Sequence, residues 1–229
     1  MSRRAYLMEI LGITLLMVLL TALFSANGVD MAVERHFYLP GAGWAYGNDN
    51  PWWFLYHFGV LPAYLVGVGG LIVYGAGFRW ERLRPFRKSA LFLALLLALG
   101  PGLLVNTVFK DHWGRPRPRQ MELFGGDRHY HQVWEPGQAG KGESFPSGHA
   151  SAAFYLIAPY FLFRRRSRNK ALAFLAGGLG YGFLMGVARM AQGGHFPSDV
   201  LWAFGMVYLT GSTLGYVMKL GEEPLPAGK

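Results

Sequence analysis

The 229-residue chain contains no cysteine. Disulfides and thiolate-bound metals are therefore excluded, and thiol usage says nothing about redox compartment. Charge is also scarce. Asp, Glu, Lys and Arg make up 15% of the residues, where soluble domains carry roughly 25%. Acidic side chains are rarest, 13 against 22 basic ones, which leaves a net charge of +9. In their place stand hydrophobic residues at 52% and aromatics at 16%, with a mean hydropathy of +0.21. This composition excludes a disordered chain, a coiled coil and a collagen-like chain. The basic excess fits nucleic acid, an anionic membrane surface or an anionic substrate.

The charges are missing in blocks. Six stretches contain no Asp, Glu, Lys or Arg: Ile10–Val29, Asn50–Phe78, Ser89–Phe109, Ser144–Phe163, Ala171–Ala188 and Val200–Met218. They run from 18 to 29 residues, enough to cross a hydrocarbon core about 30 Å thick. None shows the two-residue alternation of a barrel strand. Backbone amides in lipid need internal partners, so such segments must be helices. A soluble protein with six core helices of this kind lacks the polar surface to cover them. The pattern predicts an all-α integral membrane bundle of six transmembrane helices, one domain over 1–229, with spans near 8–29, 51–77, 88–110, 147–163, 170–188 and 198–218. Arg3 and Arg4 before an apolar run also resemble a signal peptide. The run is long for one and has no small-x-small cleavage site, so it reads as a retained first helix.

Six spans place both termini on one side. That side receives 14 of the 22 Lys and Arg residues, ten of them in the short clusters 79–88 and 164–170. The positive-inside rule makes it cytoplasmic, so 30–49, 110–143 and 189–199 face outward. Trp44, Trp52, Trp53 and Tyr56 fit an outer interfacial belt. The tail Gly221–Lys229, with two Pro and two Gly, reads as frayed. The positive charge thus turns toward membrane lipids and an anionic substrate, not nucleic acid, and no obligate protein partner is indicated.

Three polar clusters fall on the outer side. Lys110 to Pro118 (KDHWGRPRP) ends the third span, Pro146-Ser147-Gly148-His149 opens the fourth, and Arg189, His195 and Asp199 join the fifth to the sixth. Lys110, Arg117 and Arg189 are three cations suited to phosphate, Arg by its bidentate fork and Lys as a point charge. Ser147 and Gly148 begin a helix, whose free N–H groups favour an anion. Two histidines can share phosphoryl transfer, one attacking phosphorus and one protonating the leaving oxygen. Asp199 lies one turn after His195, where its carboxylate can hold the imidazole tautomer.

Each cluster alone has a plainer reading. The Lys110–Arg119 run can be interfacial anchors, Pro-Ser-Gly-His a turn and N-cap, and His195 with Asp199 a capping pair. A metal site is the rival use of His149, His195, Asp199 and His112. Three convergent cations oppose it, because they repel a divalent ion. An organic-anion transporter is a rival class, but the charges lie at helix ends and none within a span. A non-catalytic lipid binder explains the cations and leaves the His195–Asp199 spacing unexplained.

Together the clusters resemble, in order and spacing, the three signatures of the type 2 phosphatidic acid phosphatase superfamily. Lys110 with Arg117-Pro118 resembles the first, Pro146 to His149 the second, and Arg189, His195 and Asp199 the third. The likeness covers about residues 90–217. It implies a cofactor-free, metal-independent phosphatase. His195 would form a phosphohistidine, Asp199 orient it and His149 protonate the leaving alkoxide, while Lys110, Arg117, Ser147, Gly148 and Arg189 hold phosphate. One departure is Ala188, where the family usually has a Ser that binds phosphate. The flanks of the clusters (GPGLLVN before Lys110, QGGHF around His195) resemble the lipid A phosphatases of Gram-negative inner membranes, the 4′-phosphatase branch in particular. Related branches act on undecaprenyl diphosphate, phosphatidylglycerophosphate and phosphatidic acid. The resemblance therefore implies a multi-pass inner-membrane enzyme with a lipid phosphate substrate and a site facing the periplasm. The aromatic and basic loop Arg119–Glu143 reads either as a lid or as a loop resting on head groups.

Overall fold

A computed structural model describes residues 2–221. Residues 222–229, most of the tail expected to fray, lie outside the described residues. All regular elements among the described residues are helical, apart from two isolated bridges at Leu39–Gly43 and Met121–Arg128. Five helical runs are long and apolar enough to cross a membrane: Arg3–Ala26, Trp52–Ala76, Glu81–Gln120, Arg168–Ala191 and Pro197–Val217.

Helix α1 (Arg3–Ala26) ends at Asn27, and left-handed Gly28 turns the chain into α2 (Val29–Phe37). Part of the expected outer loop 30–49 is therefore helical. The second run is broken into α3 (Trp52–Phe58) and α4 (Leu61–Ala76). The third combines α5 (Arg87–Leu97) with a wide π-helical stretch, Ala98–Lys110, and the single turn α6 (Asp111–Trp113). Pro101 sits inside the wide stretch and has no N–H to give to an α-helical ladder. The Asn106 amide donates to the Pro101 carbonyl five residues back at 2.7 Å. Lengthened turns of this kind recur at functional sites.

The charge-free stretch 144–163 differs in kind. Its helical part is α7 (Gly148–Phe154), a 3-10 turn at Tyr155–Ile157 and α8 (Ala158–Phe163), sixteen residues in all. That is about 25 Å at the usual rise, short of a full hydrocarbon core. Nearly every side chain of α7 is buried, as are Tyr155, Ile157, Ala158 and Phe161. The segment is the inner wall of the bundle. Helix α9 (Arg168–Ala191) approaches it through Gly178 and Gly182, and approaches Val200 of the last helix through Gly186, the three spaced four apart on one face. A Cβ at 178 would fall 2.6 Å from Ile157 Cγ2, one at 182 would collide with the Phe154 ring, and one at 186 would fall 2.5 Å from Val200 Cγ1. Small residues at this spacing are how membrane helices gain contact area where lipid supplies no hydrophobic drive.

Helix α10 (Pro197–Val217) is the most enclosed of the five spans. It packs on α1, where Met17 lies against Gly205, Tyr6 stacks on Tyr216 at 4.2 Å and Trp202 donates to Thr21 Oγ1 at 2.9 Å. Near the N-terminus of α1, Arg164 pairs with Glu9 at 2.7 Å. The result is a bundle whose lipid-facing residues are large and apolar, including Leu7, Leu11, Leu19, Leu65 and Ile72.

Candidate phosphate site

The N-terminus of α7 and the end of the π-helical stretch meet at one cleft, and Arg189 at the C-terminal end of α9 is near enough to act on both His149 and His195. Lys110, Gly148 and His149 line it together with Asn106, Pro101, Val60, Tyr64 and Ala152, in a volume of about 280 Å³. Ser147 caps α7, accepting the Ala150 N–H at 3.3 Å, and its own N–H reaches the Asp199 carbonyl at 3.3 Å. The plain N-cap reading of Ser147 is thus realised, while its hydroxyl proton stays available to an anion. Gly148 is forced by packing, because a Cβ there would collide with Asn106 Oδ1.

Tyr56 ties the second and third clusters together. Its ring stacks on His149 at 4.9 Å, and the Arg189 guanidinium carbon lies 4.5 Å from its centre. Arg189 is buried, bonds through Nη1 to Gln192 Oε1, and has no partner at Nε. Arg117 is half-buried and donates to Glu143 Oε2 at 2.6 Å. Glu143 therefore occupies the fork that a phosphate would take. His112 turns back on its own helix, 2.9 Å from the Val108 carbonyl, and takes no place beside the other two histidines.

His195 is buried, with Nδ1 2.5 Å from the Ser144 carbonyl. A carbonyl only accepts, so Nδ1 carries the proton and donates, and Nε2 keeps its lone pair. The expected partner, Asp199, stands farther off: Oδ2 is 3.9 Å from Nδ1. That oxygen is already taken by Ser144 Oγ–H at 2.6 Å and the Phe196 N–H at 2.8 Å. Asp199 thus acts on the imidazole through Ser144, whose hydroxyl it holds and whose carbonyl holds His195. Burial, and then the charges of Arg189, Arg117 and Lys110, push the His195 imidazole well below its ordinary pKa. It is neutral across the physiological range. The same three cations act on His149.

A buried network behind Asp199 has no counterpart in the sequence reading. Arg115, fully buried, donates to Asp199 Oδ1 at 2.5 Å, Asp30 Oδ2 at 2.8 Å, Ser198 Oγ at 2.8 Å and the His131 carbonyl at 3.0 Å. The Phe196 ring centre lies 4.5 Å from its guanidinium carbon. Asp30 in turn accepts the Ser198 N–H at 2.9 Å and the Tyr130 hydroxyl at 3.1 Å. Arg115 so ties α2 and the 119–143 loop to the N-terminal end of α10. Glu34 on α2 is buried with neither carboxylate oxygen partnered. Burial, and then the nearby Asp199 and Asp30, raise its pKa well above the ordinary carboxylate value. Ala188 packs among Leu55, Ala153 and Met185.

Cations and a neutral imidazole gathered at the mouth of a helical membrane bundle define a class, the membrane-embedded phosphatases. Residues 89–220 match the model of the PAP2 superfamily, and the chain belongs to that superfamily. A lipid A 4′-phosphatase of Francisella tularensis subsp. novicida is 38% identical over 80% of this chain and 82% of its own length. A lipid A 4′-phosphatase of Rhizobium leguminosarum is 37% identical over 58% of this chain and 56% of its own. Phosphatidylglycerophosphatase B of Bacillus subtilis is 30% identical over 68% and 67% respectively. No solved structure matches the chain. The protein is an enzyme, a phosphoric monoester hydrolase, carried in a membrane by several apolar helices.

Proposed function

We propose that this enzyme removes phosphate from lipid A at the outer leaflet of the bacterial inner membrane, through a phosphohistidine on His195 and without a metal ion. The observation that carries the reading is the Nδ1-to-Ser144 hydrogen bond at 2.5 Å. It leaves a desolvated, neutral Nε2 as the nucleophile among three cations. Nε2 attacks phosphorus and the bond to the lipid oxygen breaks. His149 gives that oxygen its proton, and a bound phosphate dianion offsets the cations that otherwise oppose a charged His149. Water, deprotonated by the same His149, then cleaves the phosphohistidine. Lys110, Arg117, Arg189, the Ser147 hydroxyl and the Gly148 N–H bind the phosphate oxygens. Glu143 must yield Arg117 for this to happen. The apolar side chains beside Lys110 and His149 suit an acyl chain.

Three cations neutralise a phosphate without a divalent ion. Phosphate release from lipid A by purified enzyme is therefore expected to persist in excess chelator. Loss in chelator, with recovery on adding one metal, assigns His149 and His195 to metal binding instead. A panel including phosphatidylglycerophosphate and undecaprenyl diphosphate separates the substrate branches.

In the same proposal, 144–163 is a sixth span held in the centre of the bundle, and both termini are cytoplasmic. Reporter fusions after Arg84 and after Gly137 are expected to score cytoplasmic and external. The same score at both positions contradicts six spans.

A further inference from the structure

A second cleft opens from Arg189 on the solvent side. It is lined by Trp44, Asn48, Trp53, Tyr56, His57, Arg119, Arg189 and Gln192, among others, and encloses about 420 Å³. That volume lies within the range of small-molecule sites. The lining contains no carboxylate. Its aromatic members are built in. Trp44 is held edge-on by Tyr38 at 5.6 Å and Phe124 at 5.2 Å, with its ring against Gly193. Trp53 packs on His57 with ring centres 4.3 Å apart and tilted by 32°, and the His57 Nδ1 is fixed by the Trp53 carbonyl at 2.8 Å. The Arg119 backbone is pinned by its N–H to the Gly193 carbonyl at 3.0 Å, whereas its exposed guanidinium makes no hydrogen bond or ion pair among the described residues. Gln192 is oriented by Gly47 at 3.1 Å and by Arg189.

An interfacial belt accounts for an exposed tryptophan such as Trp53. It does not account for Trp44, turned into the protein beside Gly193, nor for two guanidiniums and two amide side chains around the same space. A pyranose has an apolar C–H face that suits aromatic rings and a hydroxyl rim that suits amide and guanidinium groups. The absence of carboxylates and the presence of Arg119 and Arg189 favour a sugar that itself carries negative charge. Tyr56 borders this cleft and stacks on His149 of the phosphate cleft, so the two are neighbours across that ring pair.

We infer that the outer cleft is a headgroup subsite for an anionic sugar of a glycolipid phosphate, and that it gives the enzyme its preference over lipid phosphates lacking sugar. The inference rests on the phosphatase reading above. The occupant lies beyond the scissile phosphate, and Trp53 and Arg119 are specificity residues with no part in the chemistry.

The test uses the full chain in mixed micelles with two probes, lipid A and phosphatidic acid, and the variants Trp53→Ala and Arg119→Gln. Both side chains are exposed, so folding is little affected. The wild-type enzyme is expected to show a higher kcat/KM on lipid A. Each variant is expected to raise KM for lipid A about tenfold with little change in kcat, the signature of lost uniform binding. The lipid A to phosphatidic acid ratio then falls by about the same factor. An unchanged ratio in both variants, whether or not both rates fall, overturns the subsite, as does a wild type that prefers phosphatidic acid. A wild type that hydrolyses neither probe overturns the phosphatase reading instead.

Discussion

His195→Ala is expected to abolish turnover on every substrate, and no phosphoenzyme should be trapped on acid quench. The covalent route needs the His195 Nε2, because the other imidazole near the three cations, His149, serves the leaving oxygen in this reading. Loss of a nucleophile that acts in a concerted unit costs on the order of 10⁶-fold in kcat. His149→Ala behaves differently. A lipid alkoxide leaves badly without a proton, whereas p-nitrophenolate leaves almost unaided, so the loss depends on the leaving group. On lipid phosphate the variant should fall by on the order of 10²–10⁴-fold, and on p-nitrophenyl phosphate far less. Phosphohistidine should still form from the nitrophenyl substrate. The pH profile adds a third reading. The nucleophile must be neutral, and burial among cations places its pKa well below the ordinary imidazole value. Its limb of kcat/KM should therefore lie on the acid side of that value, with activity through this group holding as pH rises. Retained turnover in His195→Ala, or equal losses on both substrates in His149→Ala, contradicts the assigned roles.

The membrane bundle is legible because charge is costly in lipid. Five of the six charge-free stretches coincide with long apolar helices. The stretch 144–163 reads as the same kind of span but is buried in the centre, and composition carries no sign of that difference. The residues proposed to hold phosphate are legible because the chemistry fixes their type: a cation, a helix start, an imidazole. The partner of His195 is not legible. A main-chain carbonyl belongs to every residue, so nothing in the sequence singles out Ser144. Asp199 at one turn from His195 carries a clear spacing signal, yet that spacing serves the helix start, where its carboxylate accepts the Phe196 N–H. Arg115 was hidden among basic neighbours that read as interfacial anchors. Its counter-charges, Asp30 and Asp199, lie 85 and 84 positions away, and no periodicity links them to it.

Arg115→Met is expected to destabilise the enzyme more than any single change in the phosphate-binding set. Its guanidinium is fully buried and bonds to two carboxylates, a hydroxyl and a main-chain carbonyl. Methionine fills much of the volume and supplies no donors, so Asp30 and Asp199 lose the cation they share. Removing one partner from a buried ion pair typically costs about 3–5 kcal/mol. In a chain of this size that corresponds to a fall of about 6–20 °C in Tm, because 1 kcal/mol shifts Tm by about 2–4 °C. Arg115→Lys keeps the charge but cannot reach both carboxylates with one fork, and should fall between. Asp30→Asn combined with Arg115→Met removes one of the stranded charges and should recover part of the loss, which a purely volumetric effect cannot do. Activity gives an independent check. Asp199 holds Ser144, and Ser144 holds His195, so the surviving folded Arg115→Lys protein should lose kcat more than it gains in KM. Thermal unfolding in detergent, followed by tryptophan fluorescence, measures the first effect. Arg115→Met melting within 2–4 °C of wild type, about 1 kcal/mol, shows that the network does not hold α2 and the outer loop to α10.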